Sequence, residues 1–198
     1  MQGEAKTQPA SSYTLTANKP DVFLVQEEDG VLYFHELQVD SWKTYNNQFL
    51  KVLIENSLND TLLVYPESEE NCAVFRSLQA RHEDDCSIKL HEYRDTSPRE
   101  GISVAFTVQK GRKSYLMNCT SDRTLEFQEG NAPSYIPGDR SEYIFYQKFF
   151  SEGDSAFSFE SSLLAGYFLA SKEENGLKKL ALKKSQDQVD DNLRIQIK

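Results

Sequence analysis

Residues 102–109 read ISVAFTVQ, in which large apolar side chains alternate with smaller or polar ones. Successive side chains of a β-strand point to opposite faces, so this two-residue period predicts a half-buried strand. The basic tetrapeptide KGRK follows at 110–113, and its glycine suits the tip of a hairpin. An apolar run, SYLMNC, comes next at 114–119. The three segments together therefore predict a β-hairpin.

Short apolar runs of the same kind occur along the chain on both sides of this hairpin. Further short apolar runs begin at Phe49, Thr61, Cys72, Ile88, Thr124, Tyr143, Phe157, Tyr167, Leu177 and Leu193. Even spacing of this kind predicts about twelve strands. No long apolar stripe has the 3.6-residue helical period, which disfavours a parallel sheet with crossover helices. Since many short strands leave edges that must be hidden, the chain is predicted to be an all-β single domain, closed or nearly closed.

Turn residues mark the breaks between these runs. Asn175-Gly176 suits a type I′ hairpin turn, because both central residues of that turn need a positive φ. One longer loop is predicted between Asn131-Ala132-Pro133 and Pro137-Gly138-Asp139.

Charge and hydropathy exclude two classes of partner. The 198 residues include 22 basic and 31 acidic side chains, for a net charge of −9. A protein this acidic is a poor ligand for the phosphate backbone of nucleic acid. Its longest apolar runs are also far shorter than the roughly 20 residues of a membrane span. We therefore expect no nucleic-acid binding and no membrane insertion.

Residues 1–40 differ in composition from residues 41–198. They contain two lysines against seven acidic residues, so a fifth of the length holds more than half of the net charge. The first twenty are rich in Ser, Thr, Ala and Gln with no sustained period, which is typical of a mobile tail. No apolar segment follows a basic start, so no export signal is predicted. We expect an N-terminal extension at 1–40 and one folded domain at 41–198.

The three cysteines are predicted to be free thiols. Cys72, Cys86 and Cys119 are odd in number, and none belongs to a CxxC motif. Cys119 lies in an apolar strand and should be the least reactive, whereas Cys86 follows an acidic loop and is expected to be exposed.

Reactive groups do not converge in the sequence. His35, His82 and His91 share no metal-ligand spacing, and His82 beside Glu83-Asp84-Asp85-Cys86 is explained most simply by an acidic solvated loop. No phosphate-binding glycine motif or nucleophile signature is present. A catalytic Cys–His dyad is an alternative that the sequence alone leaves open. We predict a protein that is not an enzyme and that has no cofactor and no metal.

Two basic clusters have two interpretations each. Lys178-Lys179 and Lys183-Lys184 flank Leu180-Ala181-Leu182, and residues 110–113 form the second cluster. Such lysines either discourage edge-to-edge pairing of strands or form a binding patch for an acidic protein or a sulfated glycan. The sequence favours neither interpretation.

Three segments near the C-terminus form a recognisable pattern. They are Phe159-Glu160-Ser161-Ser162, Gly166-Tyr167-Phe168-Leu169-Ala170 and Leu180-Ala181-Leu182-Lys183-Lys184. The pattern resembles the C-terminal signature of the interleukin-1 cytokine family, and shorter matches at 57–60, 93–99, 131–133 and 144–148 extend the resemblance over residues 49–198. The chain departs from the general family pattern at Ala165, where proline is usual, and at Ser171, where threonine is usual. Both departures favour one branch of the family.

The resemblance implies a β-trefoil of twelve strands and a function in binding. It implies an inactive cytoplasmic precursor, an inflammatory caspase that cuts it after an aspartate, and secretion by a non-classical route. The product would be a monomer that binds a two-chain immunoglobulin-like receptor, with a soluble binding protein as a further partner. Signalling and interferon-γ production would follow. Two rival functions are a heparin-binding trefoil growth factor, typically basic, and an intracellular trefoil, which would need motifs repeated in each third.

The predicted cut lies between Asp40 and Ser41. Leu37-Gln38-Val39-Asp40 matches the Leu-x-x-Asp that the resemblance places here, and Asp29 before Gly30 is the competing site. Because the first predicted strand starts only at Phe49, this segment is expected to extend into a protease cleft.

The predicted receptor surface centres on residues 93–99, YRDTSPR, which join two strands. Arg94 and Arg99 are forked cations of the type enriched at interface hot spots, and Asp95 lies between them. In the resemblance, Asp60 and Asp154 match positions on a neighbouring receptor-facing surface. The alternative is that Arg94 merely forms a surface salt bridge with Asp95 or a nearby glutamate.

Overall fold

A computed structural model describes residues 22–28, 31–36, 40–68, 72–77, 86–97, 99–186 and 188–198, with side chains from residue 40 onward except those of 45–47. The chain divides into two compact units, Met1–Val39 and Asp40–Lys198. In the first unit, β1 (Val22–Glu28) and β2 (Val31–Glu36) form an antiparallel hairpin. The tail predicted at the first twenty residues lies outside the described residues.

Strands dominate the described part of the second unit. They are β3 (Ser41–Val52), β4 (Ile54–Glu55), β5 (Thr61–Tyr65), β6 (Cys72–Arg76), β7 (Ile88–Asp95), β8 (Ile102–Lys110), β9 (Lys113–Cys119), β10 (Leu125–Glu129), β11 (Tyr135–Pro137), β12 (Phe145–Phe149), β13 (Phe157–Ser161), β14 (Tyr167–Glu174), β15 (Leu177–Lys184) and β16 (Gln196–Ile197). A 3₁₀-helix at Asp191–Leu193 precedes the last strand. Within the described ranges, no helix is long and apolar enough to cross a membrane.

The described strands of the second unit pair in an antiparallel manner and form one continuous sheet. From β3 the order of neighbours is β7, β8, β12, β13, β14, β15, β6, β5, β4 and β16. In addition, β9 pairs with β8, β10 pairs with β9, and β11 pairs with β3. Only Leu53 separates β3 from β4 along the chain. The order of neighbouring strands therefore ends beside β3, the strand with which it began, and the sheet closes on itself. Leu53 also exchanges two backbone hydrogen bonds with Lys198, at 2.9 and 3.0 Å. This closure confirms the predicted all-β domain and hides the sheet edges that many short strands would otherwise expose.

Most strands lie where the two-residue period predicted them. The turn between β14 and β15 has φ values of +52° at Asn175 and +74° at Gly176, which confirms the predicted type I′ geometry. Three details differ. Tyr135–Pro137 forms β11 inside the predicted long loop, the C-terminal alternation is partly the 3₁₀-helix, and β3 begins eight residues before Phe49.

Two hydrophobic clusters explain why β8 is buried on both faces. The larger one fills the closed sheet, where the ring of Phe106 lies 6.0 Å from that of Phe145 and 5.3 Å from that of Phe159. The smaller one covers the opposite face of β8, and its members are Trp42, Tyr93, Ala105, Leu116, Ile136, Ile144 and Tyr146. The prediction of a half-buried strand was therefore wrong, because a second layer packs on the side assigned to solvent.

The thiols follow the prediction only in part. Cys119 is fully buried with its Sγ 3.1 Å from Ser161 Oγ, and burial raises the pKa of this thiol. Cys86 is also buried, so its predicted exposure was wrong. It lies where the chain enters β7, whose Ile88 and Leu90 point into the core. Cys72 is half-buried, and all three are free thiols.

We expect Cys72 to react first with a thiol reagent in the native protein. Cys86 and Cys119 should lag strongly, because a buried thiol reacts only when the structure opens. Titration of the native chain, and then of the chain in denaturant without reductant, measures both classes. A Cys72→Ser variant should lose the fast phase alone. Recovery of one thiol instead of three in denaturant would contradict the prediction.

Candidate functional site

The loop after β7 is tied to the core through Asp95. One carboxylate oxygen, Oδ2, accepts a hydrogen bond of 3.0 Å from Trp42 Nε1, while Oδ1 accepts one of 2.8 Å from the backbone N–H of Ser97. Trp42 Nε1 also donates to Ser103 Oγ at 3.2 Å. Asp95 thus acts within the protein as the anchor of the loop.

Arg99 is held in place by three neighbours. Its Nε lies 3.5 Å from Asp95 Oδ2, its Nη2 donates to the carbonyl oxygen of Asp139 at 3.4 Å, and its guanidinium sits 5.5 Å from the ring centroid of Tyr146. Arg94 is exposed on β7. The carboxylate of Asp95 therefore pairs with Arg99. The end of β7 and the loop after it thus present two guanidinium groups, and that of Arg99 is preorganised by these contacts.

The Asp40–Ser41 segment is hydrogen-bonded on both sides. Ser97 Oγ donates to Asp40 Oδ1 at 2.5 Å, and the backbone N–H of Gly138 donates to the Asp40 carbonyl at 2.6 Å. The N–H of Ser41 donates to Thr96 Oγ1 at 2.9 Å, and the N–H of Thr96 donates to the Ser41 carbonyl at 3.1 Å. The segment is thus tied into the sheet at the start of β3.

This geometry corrects the expected accessibility of the cut. Ser41 is buried, and Trp42 beside it is 0% exposed. The prediction that the first strand starts only at Phe49 was wrong, because β3 begins at Ser41 and the indole of Trp42 anchors the chain in the smaller cluster. The competing Asp29-Gly30 lies outside the described residues.

Asp60 and Asp154 lie on other loops, and each is paired with a cation of the same chain. Asp60 is 8% exposed, and its Oδ2 lies 2.6 Å from Lys178 Nζ. Asp154 accepts hydrogen bonds from Arg194 Nε at 2.9 Å and Nη2 at 3.0 Å, and this pairing lowers the pKa of its carboxyl. Both carboxylates thus pair with other parts of the domain, and neither is among the contacts that hold Asp95 and Arg99.

The described residues offer no constellation for catalysis by a metal. No group of three or more His, Cys, Asp or Glu side chains in this part of the chain is arranged to hold an ion. His91 Nε2 lies 2.8 Å from Thr107 Oγ1, and burial, aided by the charge of Lys89, lowers the pKa of its imidazole. This histidine bridges β7 and β8.

Comparison with known proteins identifies the family. A family model described as Interleukin-1 / 18 matches residues 79–193. Interleukin-18 of the chicken, Gallus gallus, is 36% identical over 84% of this chain and 87% of its own length. The chain belongs to the interleukin-1 family. Bovine interleukin-18, from Bos taurus, is 36% identical over 71% of this chain and 72% of its own.

Membership of the interleukin-1 family confirms several predictions. The crystal structure of chicken interleukin-1β has a TM-score of 0.59 and 20% identity, covering 79% of this chain and 98% of that one, which confirms the β-trefoil. Since both of these relatives are interleukin-18 proteins, the branch indicated by Ala165 and Ser171 is confirmed as well. The protein is an interleukin-18-like cytokine and not an enzyme. Both rival trefoil functions lose their support.

Sequence reasoning missed the environment of several residues. Trp42 was overlooked because a lone aromatic in a polar stretch has no periodic signal. Ile102 was assigned to a buried face but is 48% exposed at the start of β8. Phe149 is 69% exposed, with its ring stacked 5.3 Å from that of Phe157. Exposed apolar groups of this kind cannot be told from core residues by alternation alone.

Proposed function

We propose that this chain is the precursor of an interleukin-18-like cytokine. Residues 1–40 form the propeptide, and an inflammatory caspase cuts after Asp40 to release the domain 41–198. The precursor is cytoplasmic, and the product is secreted by a non-classical route as a monomer. It binds a two-chain immunoglobulin-like receptor, brings the two chains together and triggers signalling and interferon-γ production. A soluble binding protein competes for the same surface.

The observation that supports receptor binding most directly is the anchoring of the Arg94–Arg99 loop. A guanidinium that is already positioned loses little side-chain freedom when a partner binds, so more of its interaction energy remains as affinity. Asp95 provides this positioning through Trp42 and Ser97. No covalent bond is made or broken in such a function, because the protein acts by non-covalent binding alone.

Replacing Arg94 or Arg99 with alanine is expected to weaken receptor binding by about 1–3 kcal/mol. The melting temperature of the Arg94→Ala chain should change little, because the residue is exposed. Arg99→Ala should also cost some stability, since its contacts with Asp95, Asp139 and Tyr146 are lost. Surface plasmon resonance on the caspase-treated chain, with thermal melts alongside, separates the two effects.

A matched control is Arg112→Ala, which removes the same charge from the β8–β9 turn and should leave affinity unchanged. Arg99→Lys keeps the positive charge but removes the planar guanidinium that can donate two parallel hydrogen bonds, so an intermediate affinity is expected. If the Arg94→Ala, Arg99→Ala double variant binds both receptor chains at full strength and with the same salt dependence, this surface is not the receptor site.

A further inference from the structure

The peptide group between Asp40 and Ser41 has both of its polar atoms hydrogen-bonded within the folded domain. Its carbonyl oxygen accepts a hydrogen bond of 2.6 Å from the backbone N–H of Gly138, and its N–H donates to Thr96 Oγ1 at 2.9 Å. The side chain of Asp40 is held as well, because its Oδ1 accepts a hydrogen bond of 2.5 Å from Ser97 Oγ. The carbonyl, the N–H and the carboxylate are therefore each bonded to a different residue.

A protease that cuts after Asp40 has to bind the same three groups. Its specificity pocket hydrogen-bonds the carboxylate, and its oxyanion hole receives the carbonyl oxygen as the nucleophile attacks. A general acid then protonates the leaving nitrogen. Overall, one water adds across the bond, so that Asp40 ends in a carboxylate and Ser41 begins with an ammonium group. In the folded chain, the hydrogen bonds within the domain compete with each of these contacts.

The residues that follow the bond are fixed on both sides. Residues 41–43 pair with residues 135–137 of β11, and residues 42–44 pair with residues 93–95 of β7. Ser41 is 4% exposed. Proteolysis requires backbone that can leave its burial and its hydrogen bonds. The start of β3 therefore has to leave the sheet before the bond can enter a protease cleft.

We propose that the caspase cuts the precursor only in a locally opened form, in which the start of β3 has detached from β11 and from the loop after β7. The inference rests on the proposed function, because it takes Asp40 as the cut site, and it adds that the fold itself regulates the cut. When opening and closing are faster than cutting, the observed rate is the rate for the open segment multiplied by the population of the open form. Contacts that stabilise the start of β3 therefore slow the maturation of the cytokine.

The three hydrogen bonds set the expected size of this effect. Loss of one such bond shifts an equilibrium roughly fivefold, so three together hold the open form at about one part in a hundred. The matched substrate is a free peptide of residues 33–48, which has the same sequence around the bond but contains neither β7 nor β11. We expect kcat/KM for the full chain to be about a hundredfold lower than for this peptide. Both are measured with one inflammatory caspase, and the products are identified by mass.

Amide hydrogen exchange in the full chain measures the same opening without a protease. The N–H of Ser41 exchanges when its hydrogen bond to Thr96 breaks, so its protection factor should equal the ratio of the two kcat/KM values within about threefold. Thr96→Val removes the acceptor and should lower both the protection factor and the ratio about fivefold. The matched control is Thr124→Val, which removes another exposed threonine hydroxyl, just before β10, and should change neither quantity.

Two results would overturn the inference while leaving the cut site intact. Equal kcat/KM values for the chain and the peptide would mean that the bond is already accessible in the folded precursor. Faster exchange of the Ser41 amide in the Thr96→Val chain, without faster cutting, would mean that the caspase does not depend on this opening. A free peptide that is not cut after Asp40 would refute the cut site itself, and the inference with it, so the two failures are distinguishable.

Discussion

Asp40→Ala in the full chain is expected to abolish caspase cleavage between residues 40 and 41, with a loss of roughly 10⁴-fold in rate. A protease pocket built to hydrogen-bond a carboxylate rejects a side chain that lacks it, because its own polar groups are then left unpaired. Caspase digestion followed by mass measurement gives the result directly. The unaltered chain should yield a product that begins at Ser41.

Two companion variants sharpen this experiment. Asp29→Ala is the matched control and should be cut normally after Asp40. Because Ser97 Oγ donates to the Asp40 carboxylate, Ser97→Ala should favour local opening of the β3 start and speed cleavage about fivefold. A product that begins at Gly30, or normal cutting of the Asp40→Ala chain, would contradict the proposed site.

Trp42→Ala is expected to destabilise the protein by about 3–5 kcal/mol, the usual range for truncating a buried tryptophan. Trp42 is 0% exposed, packs in the smaller cluster and donates to both Asp95 and Ser103. Its loss leaves a cavity and removes the indole donor from the buried Ser103 Oγ and the partly buried Asp95 Oδ2. Urea unfolding followed by circular dichroism measures the change, since this is the single tryptophan of the chain and fluorescence is lost with it.

Trp42→Phe separates the contribution of ring packing from that of the indole hydrogen bonds. The ring remains and the N–H is removed, so a loss of about 1–3 kcal/mol is expected. The Phe variant should also weaken receptor binding, because Asp95 loses the donor that holds the loop. A destabilisation below about 1 kcal/mol for Trp42→Ala would contradict the role of this residue as the anchor of β3.

Several features could be predicted from residues that are close together in the sequence. The alternation at 102–109 identified β8, and Asn175-Gly176 identified the turn between β14 and β15, because backbone geometry near a residue depends on that residue and its neighbours. The C-terminal segments from Phe159 to Lys184 identified the family. Positions of side chains relative to distant strands have no such local signal.

The sequence by itself determined the strands, most of their turns, the all-β class and the family, because each of these depends on local pattern. The tertiary structure alone decided that β3 starts at Ser41, that Cys86 is buried, and that Asp60 is paired with Lys178, 118 residues away. It also decided that Lys183 is paired with Asp190. Closure of the sheet brings together residues far apart in the chain, and burial and ion pairing depend on that closure. Whether a given aspartate or lysine side chain is ion-paired or exposed to solvent therefore depends on which strands pack together in the folded protein.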